Sequence, residues 1–289
     1  MLARGKIMKI IGIGDSVVDF YKHEGLIYPG GNAVNVIVSA KRNGAKESAY
    51  LGIVGNDEEG KHILESLNSE NIDISRVRKV YGPTGEAIIS LTEDGDRQFI
   101  GTNRAVRVQS LLSLRLNQED MDFIDGYDLI HTSINSELEY ELPKLAHKDI
   151  SFDFSTPNRW DNNYLERVCP FINYAFFSGS DMSPEEIDQL IEMVYQYGVE
   201  IVGVTRGADS AIFSRNGERF EQEPLPTKLV DTMGAGDSFI GGFLAAYYDS
   251  KDIKEALHIA AQSAAITCEC SGAFGYGTRK RKSIQDITL

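Results

Sequence analysis

Cysteine, tryptophan, positive charge and long apolar runs are all scarce in this 289-residue chain. The three cysteines, Cys169, Cys268 and Cys270, are odd in number and lack metal-site spacing. That argues against a disulfide framework and leaves free thiols in a reducing compartment as the expectation. Cys268 and Cys270, two apart in a helical pattern, are expected on different sides of a helix. No apolar run approaches ~18 residues, and Met1–Lys9 carries charges without an apolar signal region. Neither a spanning helix nor a secretory leader is therefore expected, and the chain reads as cytoplasmic. Lys and Arg number 29 against 43 Asp and Glu, a formal net charge of −14. Such a balance argues against nucleic acid or an anionic membrane surface as the main partner. It also sets a condition on any nucleotide-binding function. A polyphosphate would have to be held by local devices: helix N-termini, backbone amides, a few cations and a divalent metal.

Hydrophobic residues make up 42% of the chain, enough for the core of one large α/β domain or of a main domain with a small appendage. Short β-rich runs alternate with helical stretches. The pattern predicts strands at Ile7–Ile13, Ser48–Val54, Leu129–Ser133, Ile150–Phe154, Tyr174–Ser178 and Glu200–Val204, with early helices at Asn32–Asn43 and Asp57–Asn71. Ser183-Pro184-Glu185-Glu186 supplies an N-cap, a first-turn proline and first-turn acids for a helix running to about Tyr197, with Gly198 as its stop. This alternation predicts a largely parallel sheet covered by helices on both faces. Two segments, 17–28 and 86–101, alternate too finely for that series. In the second, Asp94-Gly95 is a hairpin signal. Both are expected to build a small β-sheet lid on a single domain spanning 1–289. The basic tail Thr278–Lys282 reads as a solvated terminus.

The strongest local feature is Asp231-Thr232-Met233-Gly234-Ala235-Gly236-Asp237-Ser238, followed by the apolar helical stretch Phe239–Tyr248. A Gly-Ala-Gly opening to a helix aims unpaired N–H groups at one point, and the helix dipole favours an anion there. An aspartate at such a place would ordinarily repel phosphate. It becomes useful if it accepts the proton of a hydroxyl that attacks the phosphorus. As an isolated residue, Asp237 would also suit the first turn of a helix electrostatically.

DTMGAGDSFIGGFL resembles the C-terminal signature of the PfkB carbohydrate kinases, D-T-x-G-A-G-D. Gly30-Gly31-Asn32-Ala33-Val34-Asn35 resembles the family's N-terminal signature, in the right order and about two hundred residues earlier. The resemblance spans nearly the whole chain and implies a ribokinase-like α/β fold and an ATP- and Mg2+-dependent sugar kinase. It implies that Gly234, Ala235 and Gly236 form the anion hole and that Asp237 is the base. Asp15, Asp19, Gly31, Asn32 and Asn35 correspond to the sugar-binding positions; their carboxylates and amides suit vicinal hydroxyls, although Asp15 also suits a turn cap and Asn32 a helix cap. Nucleotide-side counterparts are Thr205 and Gly207 of Val204–Ser210, where Ser210 replaces the family's last glycine. Asp231, Thr232, Ala264 within Ala260–Ala265, and Gly272 complete that set. Asp153 in Phe152–Ser155, and Arg159, fall where relatives face the phosphates, though Arg159 also suits an ordinary surface.

One departure concerns the metal. Ser178-Gly179-Ser180-Asp181 stands where many relatives carry Asn-x-x-Glu, which leaves the magnesium ligands unassigned, with Asp181 and Glu185 as substitutes, and a monovalent cation open. Gly30–Val36, Asp153-Phe154-Ser155 and Ala175–Ser178 are similar to the fructoselysine 6-kinases, a subfamily that also lacks Asn-x-x-Glu. Residues near Phe99–Arg107 are then expected to meet the acceptor's amino-acid part. Fructokinase, ribokinase and 2-keto-3-deoxygluconate kinase are the competing acceptor assignments, and a homodimer through the lid edges is a further expectation. Other classes fare worse. Gly12-Ile13-Gly14 begins a dinucleotide fingerprint, but Val17 occupies its third glycine and Asp15 lies where pyrophosphate would approach. No Gly-x4-Gly-Lys-Ser/Thr loop occurs, and none of the five histidines has ligand-pair or nucleophile–base spacing. A binding protein that had lost catalysis is countered by the intact Gly-Ala-Gly-Asp element.

Overall fold

The computed structural model describes residues 8–91 and 97–281. A nine-stranded sheet runs, edge to edge, through Glu218–Gln222, Asp209–Arg215, Ile201–Arg206, Tyr174–Ser178, Asp149–Asp153, Leu129–Ser133, Lys9–Gly14, Glu47–Gly55 and Arg78–Val80. Its seven strands from Ile201–Arg206 onward are parallel. Their near-continuous apolar character (Ile10, Ile11, Ile13; Phe176, Phe177) follows from burial on both faces, and two large apolar clusters occupy those faces.

Two antiparallel strands at one edge go beyond the sequence expectation. Asp209–Arg215 and Glu218–Gln222 form a hairpin closed by Asn216-Gly217, both at positive φ. An Asn-Gly pair is the strongest short hairpin signal; here it follows an ordinary-looking strand and carries the fold's antiparallel edge. The helix started by Ser183 occupies Pro184–Tyr195, two residues shorter than expected, with the reciprocal Ser183–Glu186 capping box in place.

A second, five-stranded sheet contains Thr278–Arg279, Leu26–Gly30, Val17–Tyr21, Gly85–Leu91 and Arg97–Thr102 in that order. The anticipated lid is therefore a separate sheet, and its last two strands pair antiparallel. The Asp94-Gly95 turn lies outside the described residues. The tail is exposed, as expected, but it also forms a strand. Thr278 and Arg279 pair with Ile27 and Leu26. Lys280 Nζ sits 2.6 Å from Glu86 Oε2 and 4.3 Å over the Phe20 ring. Charge at the chain's end hid a strand whose partner lies about 250 residues away.

No disulfide joins the three cysteines. Cys268 caps the helix Ile253–Thr267 and Cys270 lies beyond it, so the expected helical phase between them does not apply.

Chain order places the site. From the central strand Lys9–Gly14 the chain first builds toward Arg78–Val80, then returns to lay down Leu129–Ser133 on the other side. The boundary between the paired strands Lys9–Gly14 and Leu129–Ser133 is the switch point of the sheet, where α/β folds open a crevice at the strands' carboxyl ends. Asp15 and Ser133 stand on its two lips. The helices Asn32–Arg42 and Ala235–Ser250 pack closely across it, because Gly241 has no side chain where a Cβ would lie 2.4 Å from Val36 O. A buried hydroxyl chain fixes their register: Ser39 Oγ donates to Ser238 O at 2.8 Å, and Thr267 Oγ1 to Ser238 Oγ at 2.8 Å.

Candidate active site

Gly234 stands just before the helix Ala235–Ser250 with φ +71, and a Cβ there would lie 2.4 Å from Ala273 Cβ. Only glycine meets both conditions without strain. The amide of Ala235 donates to Thr232 O at 3.2 Å. Among the described residues the N–H groups of Gly234, Gly236 and Asp237 have no acceptor. Two of the expected Gly234, Ala235, Gly236 amides are thus available, while Ala235 closes the turn and the Asp237 amide is available beside them.

Asp237 is held by two side chains from the start of the facing helix. Asn32 Nδ2 donates to its Oδ1 and Asn35 Nδ2 to its Oδ2, each at 2.7 Å. Asn32 Nδ2 also donates to Asp153 Oδ2 at 2.6 Å. The orientation of Asn32 is set from behind by the wholly buried His131, whose Nε2 lies 2.9 Å from Asn32 Oδ1 and whose Nδ1 lies 2.9 Å from Ser151 Oγ. Burial pushes the His131 pKa down to about 3. The ring is neutral, with Nε2–H donating to Asn32 and Nδ1 accepting from Ser151. His131 is thus a core histidine, as expected, but one that aims a site residue.

Asp15 accepts the backbone N–H of Asn32 at 2.8 Å and the hydroxyls of Ser133 and Ser136 at 3.0 and 2.9 Å. It therefore secures the start of the helix and ties the crevice lips together. Gly31, at φ +106, lets the chain turn against Asp15 O. Asp19 comes from the lid strand Val17–Tyr21 and its carboxylate packs on Gly30; among the described residues no donor is bonded to that carboxylate.

Four carboxylates (Asp15, Asp19, Asp153 and Asp237) therefore share one crevice. Burial, reinforced by the charge of neighbouring aspartates, raises Asp19 and Asp153 to about 7. Asp237 rises to about 6, chiefly through burial, with the Asn35 and Asn32 amides pulling the other way. Carboxyls with raised folded-state pKa values favour the folded state fully below their unfolded values near 3.8, and lose that contribution as pH rises through 6 to 7. Asp19→Asn is accordingly expected to raise the melting temperature of the ligand-free protein by a few degrees at pH 8 and hardly at all at pH 4. Equal shifts at both pH values would show that Asp19 is not strained by its charge.

A cavity of about 660 Å³ opens on the other side of the glycine turn. Thr205, Gly207, Thr232 and Ala264 line it with Ala235, Gly236 and Phe239. Asp231 and Gly272 do not. The Asp231 carboxylate accepts from Tyr21 OH at 2.6 Å, Met233 N at 2.6 Å and Gly272 N at 2.8 Å, bracing the glycine turn against the lid. Asp153, read from sequence toward the phosphates, shares the Asn32 amide with Asp237. Arg159, read the same way, donates to Asn135 Oδ1 at 2.6 Å. The cation on the cavity wall is Arg206, 3.6 Å from Asp209. Its place between Thr205 and Gly207 was visible in the sequence, but its side-chain direction was not. Asp181 and Glu186 line a separate groove with Trp160 and Met193. Among the described residues no group of three or more His, Cys, Asp or Glu is arranged to hold a metal ion.

Residues 6–276 match the pfkB family of carbohydrate kinases. This chain belongs to that family. It is a carbohydrate kinase, and the paired glycine motifs facing each other across the crevice are the family's two signatures. The chain is 49% identical to the fructosamine kinase FrlD of Bacillus subtilis over 271 residues, 93% of this chain and 94% of that protein. It is 32% identical to the fructoselysine 6-kinase of Escherichia coli K12, covering 91% and 98%. Among solved structures, a ribokinase II from E. coli in complex with ATP and Mg2+ superposes with a TM-score of 0.77 at 23% identity, covering 92% and 94%. Arabidopsis thaliana ribokinase with ribose and ATP gives 0.76 at 21%, covering 93% and 95%. These two likenesses concern the fold. Among the described residues no helix is long and apolar enough to cross a membrane.

Proposed function

We propose that this kinase transfers the γ-phosphoryl group of MgATP to the primary hydroxyl of a fructosamine, with Asp237 as the base. The observation that carries the reading is the position of Asp237. It stands between the cavity beneath Gly236 and the carboxylate-lined crevice, pinned by Asn32 and Asn35. ATP occupies the 660 Å³ cavity, with Ala264 and its neighbours on the base side and Arg206 toward the phosphates. The sugar lies along Asp15, Asp19, Asn32 and Asp153.

In this arrangement Asp237 takes the hydroxyl proton as the oxygen attacks phosphorus, and the free amides at the glycine turn receive charge developing on the transferring group. Magnesium, when bound, neutralises phosphate charge. The cavity wall offers the Ser178 and Ser180 hydroxyls and one carboxylate, Asp209, a donor set suited to an ion held mostly by phosphate oxygens and water.

A fructosamine carries a secondary ammonium. Asp19 and Asp153, raised by burial and by the charges of Asp237 and Asp15, supply the counter-charge such an acceptor needs, whereas a plain ketose has no charge to meet it. Sequence likeness to the fructosamine and fructoselysine kinases points the same way. The exposed Phe99 and Ile100 on the lid's outer strand support pairing of two copies through the lid.

The test is initial-rate ATP consumption with fructoselysine, other fructosamines, fructose, ribose and 2-keto-3-deoxygluconate. Fructosamines are expected to exceed plain sugars in kcat/KM by at least about a hundredfold, the worth of one buried charge pair. A plain sugar turned over equally well would sink the acceptor assignment while leaving the kinase intact.

A further inference from the structure

Three arginines converge beyond the acceptor crevice, on the side away from the nucleotide cavity. Arg104 and Arg107 lie in the turn after the lid strand Arg97–Thr102, and that turn is anchored where Asn103 Nδ2 donates to Thr84 O at 2.7 Å. Arg159 ends the short turn Pro157–Arg159. They gather about one short segment, Ile134–Glu137. Arg159 bonds Asn135, Arg104 pairs with Glu137, and the next residue back, Ser136, bonds Asp15. The order across the site is therefore nucleotide cavity, Asp237, Asn32, Asp15, arginines.

Two features set this cluster apart from an ordinary charged rim. Arg107 is only 8% exposed, yet among the described residues no carboxylate lies within ion-pair distance of it. Its Nε donates to Ser110 Oγ at 2.8 Å. Burial pulls its pKa down most, the neighbouring Arg104 and Arg159 charges add to that, and Asp15 and Glu137 act the other way. Beside it, Gln109 is 9% exposed and its Nε2 donates to Asn135 O at 3.3 Å, while its Oε1 has no partner. A buried guanidinium without a counter-ion and a buried amide oxygen without a donor both carry a free-energy penalty that a ligand would relieve.

We infer that Arg104, Arg107 and Arg159 form a carboxylate subsite that takes the amino-acid part of the acceptor, with Gln109 receiving an N–H or a bridging water. The inference rests on the fructosamine reading above and deepens it. When the primary hydroxyl is at Asp237, the far end of the sugar, which bears the nitrogen, points toward Asp15 and the arginines. The crevice is then bipolar: carboxylates face the ammonium and guanidinium groups face the carboxylate. The nucleotide is not the anion concerned, since none of the three arginines lines its cavity.

The test compares acceptors with and without the carboxylate, N-fructosylglycine against N-fructosylmethylamine and N-fructosyl-6-aminocaproate against N-fructosylpentylamine, in the wild type and in Arg104→Gln, Arg107→Gln and Arg159→Gln. Arg104 and Arg159 are exposed, so their variants keep the test valid if Arg107→Gln fails to fold. The wild type is expected to prefer the carboxylate in at least one pair, by KM, and each variant to shrink that ratio roughly tenfold, the worth of one charge-assisted hydrogen bond. A ratio near one in both pairs, or a wild-type ratio retained in all three variants, overturns the subsite while leaving the fructosamine reading in place. Turnover of 2-keto-3-deoxygluconate with no turnover of any fructosamine overturns both.

Discussion

Asp237→Asn is expected to lower kcat by about 10³-fold, within the usual range for a lost general base, while leaving ATP affinity and the melting temperature close to wild type. The isosteric amide keeps an oxygen for Asn32 or Asn35 but cannot take a proton from the acceptor hydroxyl. Neutralising one of four clustered carboxylates also removes repulsion, so the variant should be no less stable at pH 8. Its residual rate should no longer fall as pH drops through about 6, where the wild-type carboxyl is protonated. The sign follows from the raised pKa: the active form is the carboxylate, present above that value and lost below it. Retention of a tenth or more of the wild-type kcat would remove Asp237 as the base.

Gly234→Ala is the second large effect. The added methyl would lie 2.4 Å from Ala273 Cβ, on a residue whose φ of +71 already disfavours a side chain. The turn must shift, and with it the free amides of Gly236 and Asp237. Loss of an aligned donor of this kind costs about 10²–10³-fold in kcat. KM for ATP should change less, because the base-side wall at Ala261 and Ala264 is untouched. Circular dichroism and a thermal melt separate this result from unfolding. Near-normal kcat in a folded Gly234→Ala protein would mean that the glycine turn does not position the reaction.

Much of this site was legible because its parts are local. Gly30–Asn35 and Asp231–Ser238 each place donors, acceptors and a tight turn within one helix start, where spacing along the chain equals spacing in the fold. The parallel sheet was equally legible from its buried apolar runs. What escaped depends on contacts between distant segments. Asp153 sat in a visible motif, but its partner depended on the strand order that brings it to Asn32, over one hundred residues away. His131 had no sequence signal at all; its role comes from burial behind Asn32. The pairing of the basic tail was hidden because the strand it joins, Leu26–Gly30, is at the other end of the chain. Arg104, Arg107 and Arg159 come from two unrelated turns and become a cluster only around Asn135 and Glu137. The Asn216-Gly217 hairpin is the exception, a local signal in plain view that the βαβ rhythm overshadowed.

The most direct measurement is identification of the products formed from MgATP and an N-fructosyl amino acid, by phosphorus NMR and mass spectrometry. Transfer from the cavity across Asp237 predicts one ADP for each acceptor consumed and a single phosphate ester on the acceptor's primary hydroxyl. ADP and inorganic phosphate beside an unmodified acceptor would contradict it.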